Sequence, residues 1–431
     1  MLSTSPFWWE DSGKLELPAE NALPAEVDVL VVGAGLTGLS AARTLAKAGK
    51  QVLVLDSGIP GSGASSRNGG MIGGGHRLSI KETISRYGLQ TAVSVLRESH
   101  IDSNDFAKSL MAEEAIDCDY AESGRFRAFW RDAEYNPAAR ELERLQKLIP
   151  VEAEMLPASR QREEVATDVY KGGIVYRDHG GINPAKWVTG IQRAALRCGA
   201  LVQGNTAVEN LRREGNHWLV GSARGNIKSG SVLMATNGYT PSNFSHLVRR
   251  LIPVPSYLIA TETLGAERVK RLFPNQRMIV ETRDRHCYYR PSPDGTRVVF
   301  GGRTAMIKVP GAFAEHGLRG LLGGIFPELK DVAFTHSWSG ITGMTFDFLP
   351  NVGRVGGVWH ALGYSGSGNQ MAPYLGHKAA LQILGDPAGE TAFTQTDFPT
   401  RWWHRGFPWF LPFADVVYRF KDGLNNLRRL A

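Results

Sequence analysis

The stretch that most restricts this chain is residues 27–56, VDVLVVGAGLTGLSAARTLAKAGKQVLVLD. Val29 to Val32 are an unbroken apolar run of strand length, Leu36, Leu39, Ala42 and Leu45 recur at helical spacing, and a second apolar run ends at Asp56. The pattern predicts one βαβ unit. Its turn carries Gly33, Gly35 and Gly38 in GxGxxG order. The first glycine permits the tight turn, the second lets backbone approach a pyrophosphate, and the third lets helix pack close against strand. Leu36 and Thr37 then open a helix whose unpaired N–H groups and positive dipole end favour phosphate. Asp56 lies eighteen positions beyond Gly38, where an acid takes the ribose hydroxyls, and Ser57 follows it.

At 431 residues the chain has length for two or three compact regions. Cys118, Cys198 and Cys287 are widely separated and odd in number, which argues against a disulfide framework or a zinc site and fits a reducing compartment. The formal charge of +7 is spread among acids and forms no stripe, so a nucleic-acid partner is not expected. No uncharged apolar run approaches the ~20 residues that span a bilayer, and no signal peptide is read, so a soluble cytoplasmic protein is expected. The segment 401–431 is a local exception. It holds six basic residues against two acids, together with eight aromatics. Such a tail either lies on a membrane surface or packs its aromatics on the body of the protein.

Further along, Phe7, Trp8 and Trp9 are expected to anchor the lead-in, residues 1–24, to the folded body. Residues 57–76, SGIPGSGASSRNGGMIGGGH, read as a loop wrapped along a long cofactor. Helix is expected over 80–118, strand over 124–130, helix over 137–148, and a loop then a helix over 180–198. Strand 201–208, a hairpin at Gly215-Asn216, a turn at Gly225-Asn226 and strand 231–235 follow. Further strands are expected over 253–263, 277–281, 286–290 and 297–301. Strand 358–364, the turn GYSGSG and a helix from about Asn369 close the pattern.

This order predicts an α/β dinucleotide-binding fold of Rossmann type with an inserted mixed, largely antiparallel sheet. The cofactor domain is expected to be discontinuous, from 1–85, 165–245 and 335–400, with 86–164 and 246–334 building a substrate domain. The early position of the βαβ unit, the glycine-rich wrap and the late strand–turn–helix favour a flavin over a nicotinamide. A second GxGxxG is missing, and residues 234–239 read as a strand end and turn, so electrons are expected to come from an organic substrate.

The βαβ unit, ASSRNGG at 64–70, ATNGY at 235–239 and GYSGSG at 363–368 resemble the D-amino-acid oxidase-like superfamily of FAD-dependent amine oxidoreductases. IDCDY at 116–120, REEVATDVYKGG at 162–173, FPELK at 326–330 and WSGITGMTFDFLPNVG at 338–353 are similar to its γ-glutamylputrescine oxidase branch. The resemblance implies extended FAD, with Gly33, Gly35 and Gly38 at the pyrophosphate and Asp56 at the ribose. It places Ala64, Ser65, Arg67, Asn68, Gly69, Gly70 and Met71 along flavin or pyrophosphate and Val208 beside adenine. Ala235, Thr236, Asn237 and Gly340 join that surface, and Gly366, Ser367, Gly368 and Asn369 meet the pyrimidine edge. Ser367 stands where relatives often have histidine. No cysteine lies near Thr342, where covalent members attach flavin, so noncovalent FAD is expected.

The implied chemistry is transfer of hydride from the carbon next to an amine nitrogen to flavin N5, giving an imine that water hydrolyses. An apolar aromatic pocket can keep that amine neutral without a dedicated base. Tyr257, Tyr288, Arg290, Trp338 and Tyr364 are the candidate pocket residues, the aromatics being alternatively core. Arg290 is either a bidentate clamp for a substrate carboxylate or a structural ion pair. His76 either sits over the flavin or is structural. The leading substrate is γ-glutamylputrescine or a related N-substituted amino acid, in polyamine catabolism. The alternative is dehydrogenation of a cyclic or N-methyl amino acid of pipecolate, proline or sarcosine type, with a quinone or carrier as acceptor where the first reading has oxygen or another acceptor.

Overall fold

Alternation along the first strand, Glu26–Val32, decides the layering. Val29 and Val31 turn to one side with Val52 and Val54 of the strand Val52–Leu55, while Leu30, Val32, Leu53 and Leu55 turn to the other. Both faces are apolar, so both must be covered, as parallel sheets require. One is covered by the helices Leu36–Lys47, Pro184–Arg197 and Gly368–Leu384. The other is covered in part by the hairpin Val208–Glu214 and His217–Ser222, which carries Val208, Trp218 and Val220. The computed structural model describes residues 2–12, 15, 22–284, 286–417 and 420.

The first sheet has eight strands: a path Asn351–Val355, Val358–Leu362, Gly225–Met234, Glu26–Val32, Val52–Leu55, Leu201–Gln203, with the hairpin His217–Ser222 and Val208–Glu214 branching from Gly225–Met234. Val31 pairs in parallel with both Leu233 and Val54, and Val54 with Val202. The late strand Val358–Leu362 therefore joins the N-terminal unit through Met234, opposite His360. The helix behind it crosses Leu36–Lys47 with almost no separation. A Cβ on Gly376 would lie 2.2 Å from the Thr37 carbonyl oxygen.

A second eight-stranded sheet runs Phe334–Met344, Ile252–Thr261, Val298–Gly302, Cys287–Pro291, Met278–Glu281, Arg125–Ala128, Gly173–Tyr176, Ala153–Leu156. All its pairings are antiparallel except Met278–Glu281 with Arg125–Ala128. The helix Gly311–Ile325 closes one face through Ala314, Leu318 and Leu322. Phe7 and Trp8 pack on the other with Leu258, Ala260 and Trp338, and the lead-in adds a bridge from Ser3 to His336.

Several expected boundaries move. Gly173–Tyr176 and, from residue 335 on, the strand Phe334–Met344 are expected from sequence in the cofactor portion but hydrogen-bond into the second sheet, because strand partners and not chain order decide membership. The turn expected at Gly225-Asn226 is instead the start of a ten-residue strand, Gly225–Met234. The loop 57–76 contains a helical turn, Ala64–Arg67, and a short strand, Met71–Ile72, paired with Gly180–Gly181. Helix over 80–118 breaks into Ile80–Arg97, kinked at Gly88 with φ 77°, a wide π turn at Glu98–Asp102, and Ser103–Glu113.

Candidate active site

A cleft of about 940 Å3 opens at the carboxyl ends of the parallel strands, where ligands bind in open α/β sheets. Val32, Leu55 and Ala235 mark those ends. Gly33 leaves the first strand at φ 103°, and a Cβ there would stand 2.9 Å from the Ala235 carbonyl oxygen. Asp56 is fixed by the same turn: its carboxylate accepts Ala34 N–H at 2.8 Å and Gly58 N–H at 2.9 Å. Burial raises its pKa, and these two bonds oppose the rise. The helix N-terminus at Gly35 has no side-chain cap, although Leu36 N–H reaches Ser65 Oγ at 3.1 Å.

Beyond Ser65 the floor is stiffened by hydrogen bonds to backbone. Arg67 donates Nε to Ser62 O at 2.6 Å and NH1 to Ser339 O at 3.3 Å, with its guanidinium 4.9 Å from the Trp9 ring centre. Trp338 Nε1 donates to Arg67 O and Trp8 Nε1 to Asn68 O. Asn68 accepts from Gly70 N–H and from Asn369 Nδ2, which joins this floor to the final helix. Asn369 Oδ1 is buried without a partner at that end of the cleft.

The expected residues divide in two. Gly33, Gly35, Leu36, Thr37, Asp56, Ser57, Ala64, Ser65, Arg67, Asn68, Val208, Ala235, Thr236, Asn237, Gly340, Gly366, Gly368, Asn369, Tyr257 and Tyr364 all line the cleft. Gly38, Gly69, Gly70, Met71, Ser367, Tyr288, Arg290, Trp338 and His76 do not. Gly38 supports it from behind, since a Cβ there would lie 2.0 Å from the Gly33 carbonyl oxygen. Gly69 packs under Tyr288, Met71 is in the short paired strand, and Ser367 donates to Gly75 O.

Arg290 requires a correction. It is buried, with Nε on Pro291 O and NH1 on the carbonyls of Gly70 and Ile182. Burial lowers its pKa to about 10. These carbonyls, and no carboxylate, are what it holds. Tyr288 hydrogen-bonds Ser256 Oγ at 2.8 Å, and burial pushes its pKa up to about 12. His76 lies beside His100, away from the cleft.

The hydroxyls of Tyr257 and Tyr364, the two expected tyrosines that line the cleft, are also engaged. Tyr364 OH joins Thr37 Oγ1 at 2.7 Å and Ala361 O at 3.0 Å, tying the final turn to the first helix. Tyr257 OH donates to Ile307 O at 2.9 Å and accepts Val309 N–H at 2.8 Å, gripping Lys308 from both sides. Both tyrosines position backbone.

Sequence reasoning missed the loop Met306, Ile307 and Lys308, together with Tyr239, Pro253, Ile341 and, from the tail, Phe407, Pro408, Trp409, Leu411 and Pro412, all of which contribute to the cleft. Tyr239 belongs to ATNGY, and its hydroxyl accepts Ile341 N–H at 3.1 Å. The tail signal was visible as aromatic content but gave no direction. His404 is buried against Val248 O and Leu251 O, Leu411 packs with Val254, Met306 and Met344, and Asp415 accepts Met306 N–H. The described tail thus lies on the body and walls the cleft. Positions 418, 419 and 421–431, with four of the six expected basic residues, fall outside the described residues.

A family model described as DAO, FAD dependent oxidoreductase, matches residues 28–381. The chain belongs to this family. As a DAO-family oxidoreductase it is 29% identical over 368 residues to the γ-glutamylputrescine oxidoreductase of Escherichia coli, covering 85% of each chain. It is 28% identical over 389 residues to a probable oxidoreductase, OrdL, of Haemophilus influenzae, covering 86% of each. Among solved structures it superposes on glycine oxidase from Geobacillus kaustophilus with TM-score 0.73 at 21% identity, over 88% of this chain and 99% of the other. The cleft fits the family's cofactor. Gly35, whose Cβ would meet only Ser65 Oγ of the cleft wall, keeps the phosphate side open, Asp56 presents a carboxylate beside it, and Asn369 Oδ1 offers an unpartnered acceptor at the far end.

Proposed function

We propose that this enzyme oxidises the C–N bond of an amine whose carboxylate lies far from the reacting carbon, with γ-glutamylputrescine or a related N-substituted amino acid as substrate. One observation carries the reading. The charged residues lining the cleft are Asp56, Arg67 and Lys308. Asp56 is engaged by backbone N–H groups and Arg67 by backbone carbonyls. Lys308 is exposed, with no ion pair among the described residues, on the loop that Tyr257 grips. An α-amino acid needs a cation beside its reacting carbon. Among the described lining residues the cation with neither an ion pair nor a backbone carbonyl partner is exposed Lys308, which suits the distant carboxylate of a glutamyl group. The relative from Escherichia coli supports the same substrate class.

Gly33, Gly35 and the first helix turn would hold the FAD pyrophosphate, Asp56 the ribose, and Gly366, Gly368 and Asn369 the flavin end. Bound there, FAD supplies the acceptor for the hydride of the carbon next to nitrogen. The apolar lining from Pro253, Met306 and Trp409 would lower the pKa of the substrate amine and keep it neutral, as burial does for any cation. Among the described residues neither cysteine nor histidine lines the cleft, which supports noncovalent attachment.

The test is anaerobic titration of the holoenzyme with γ-glutamylputrescine, putrescine, pipecolate and sarcosine, reading bleaching of the flavin band. The expected result is fast bleaching by γ-glutamylputrescine alone. Lys308→Ala should raise its KM about fivefold, in keeping with an exposed ion pair of ~1 kcal/mol, while bleaching at saturation is unchanged. Bleaching only by pipecolate or sarcosine overturns the substrate class.

A further inference from the structure

The described part of the tail is anchored on its inner side and apolar on its outer side. Its inner side holds His404, Leu411 and Asp415, all buried. Outward stand Trp402, 84% exposed, Phe413 at 68%, Val416 at 66% and Phe420 at 68%. Among the described residues, seven of the fourteen large exposed hydrophobics fall between 402 and 420. Clustering of this kind marks a binding surface, whereas scattered exposed apolar residues do not.

Charge selects the partner. Among the described tail residues the charged side chains are Arg401, Arg405 and Asp415. Asp415 is buried on Met306 N–H, so it does not offset the outward charge. Arg401 and Arg405 are exposed beside the apolar residues. A second copy of this face would bring cation against cation. An anionic headgroup layer meets the cations while Trp and Phe side chains enter the acyl boundary. Among the described residues no helix is long and apolar enough to cross a membrane, so the contact is one of surface. We infer that the described part of the tail, from Arg401 through Val417, docks the enzyme on an anionic lipid bilayer. Because Phe407 and Trp409 also line the cleft, docking turns the cleft mouth toward lipid.

The test is cosedimentation of the full-length holoenzyme with vesicles of phosphatidylcholine mixed with phosphatidylglycerol, and with phosphatidylcholine alone. Wild type should sediment with the mixed vesicles and be released as salt rises. The variant W402S/F413S/V416S, outside the cleft lining, should lose about tenfold in partitioning while keeping wild-type flavin content and turnover. If that variant fails to retain flavin, R401E/R405E replaces it and should likewise lose binding to mixed vesicles. Wild type remaining in the supernatant overturns the proposal, as do variants that partition like wild type. A dimer in sedimentation velocity that the variant converts to monomer, with no vesicle binding, assigns the surface to a second copy and also overturns it.

Discussion

At the scale of single residues, the glycines of one motif do different work, and substitution separates them. A Cβ on Gly38 meets the Gly33 backbone oxygen at 2.0 Å, so neither strand nor helix can accommodate it without moving. Gly38→Ala should therefore cost stability, at or above the upper end of the ~1–3 kcal/mol typical of overpacking, read as a lowered melting temperature of the apoprotein. At Gly35 the only close contact of a Cβ is Ser65 Oγ, 2.9 Å away, and a hydroxyl can rotate aside. Gly35→Val should keep the fold while its methyls fill the phosphate cradle. The expected product is a folded protein purified without flavin; a yellow Gly35→Val protein would show that the cradle is elsewhere. Arg290 teaches the complementary lesson. On the strand Cys287–Pro291, Tyr288 and Arg290 share one face and Cys287 and Tyr289 the other. The sequence shows that parity but not that the segment Gly69–Gly70 covers the first face, which turns a candidate clamp into a strut.

At the scale of elements, the βαβ unit was legible because its strands, turn and helix interact within thirty consecutive residues. The closing strand and helix were legible for the same local reason. What could not be read was contact between distant segments. The loop at Met306 and the tail near Leu411 are about a hundred residues apart, and no periodicity announces that Asp415 takes Met306 N–H. Asp415→Ala removes the carboxylate that accepts from this buried amide, a loss of roughly 1–3 kcal/mol. The effect should be local. Protease cleavage within 303–309 should accelerate and KM for the amine should rise, while the melting temperature of the body changes little. Uniform destabilisation without faster cleavage of that loop would show that the tail supports the core instead of the cleft.

At the scale of the whole molecule, buried histidines set the response to acid. Burial lowers His76, His360 and His377 to about 4 and His100 to about 3, and drives His179 down as well. For His100 the neighbouring His76 and Arg125 add to the effect. In the unfolded chain these rings take up protons near pH 6.5, whereas in the fold they refuse them until about pH 4 or below. The unfolded state therefore binds more protons between those limits, and stability rises with pH across that window. Buried carboxyls act oppositely. Glu98, Asp178 and Asp347 are raised by burial, so the fold holds their protons more tightly and is favoured by acid. Their window opens only from the ordinary carboxyl values of 3.8 and 4.5 upward, while the histidine window opens from above, so the histidines govern the first fall. Melting temperature should drop steadily as pH is lowered from 7 to about 5. His360→Gln can donate its side-chain N–H to Asn351 Oδ1, which His360 Nε2 now meets at 2.7 Å, and it removes one titrating ring. That variant should melt near wild type at neutral pH and show a pH slope smaller by about one proton. A slope equal to wild type would mean that His360 is already protonated in the fold, and with it the reading of the buried ring as neutral would fail.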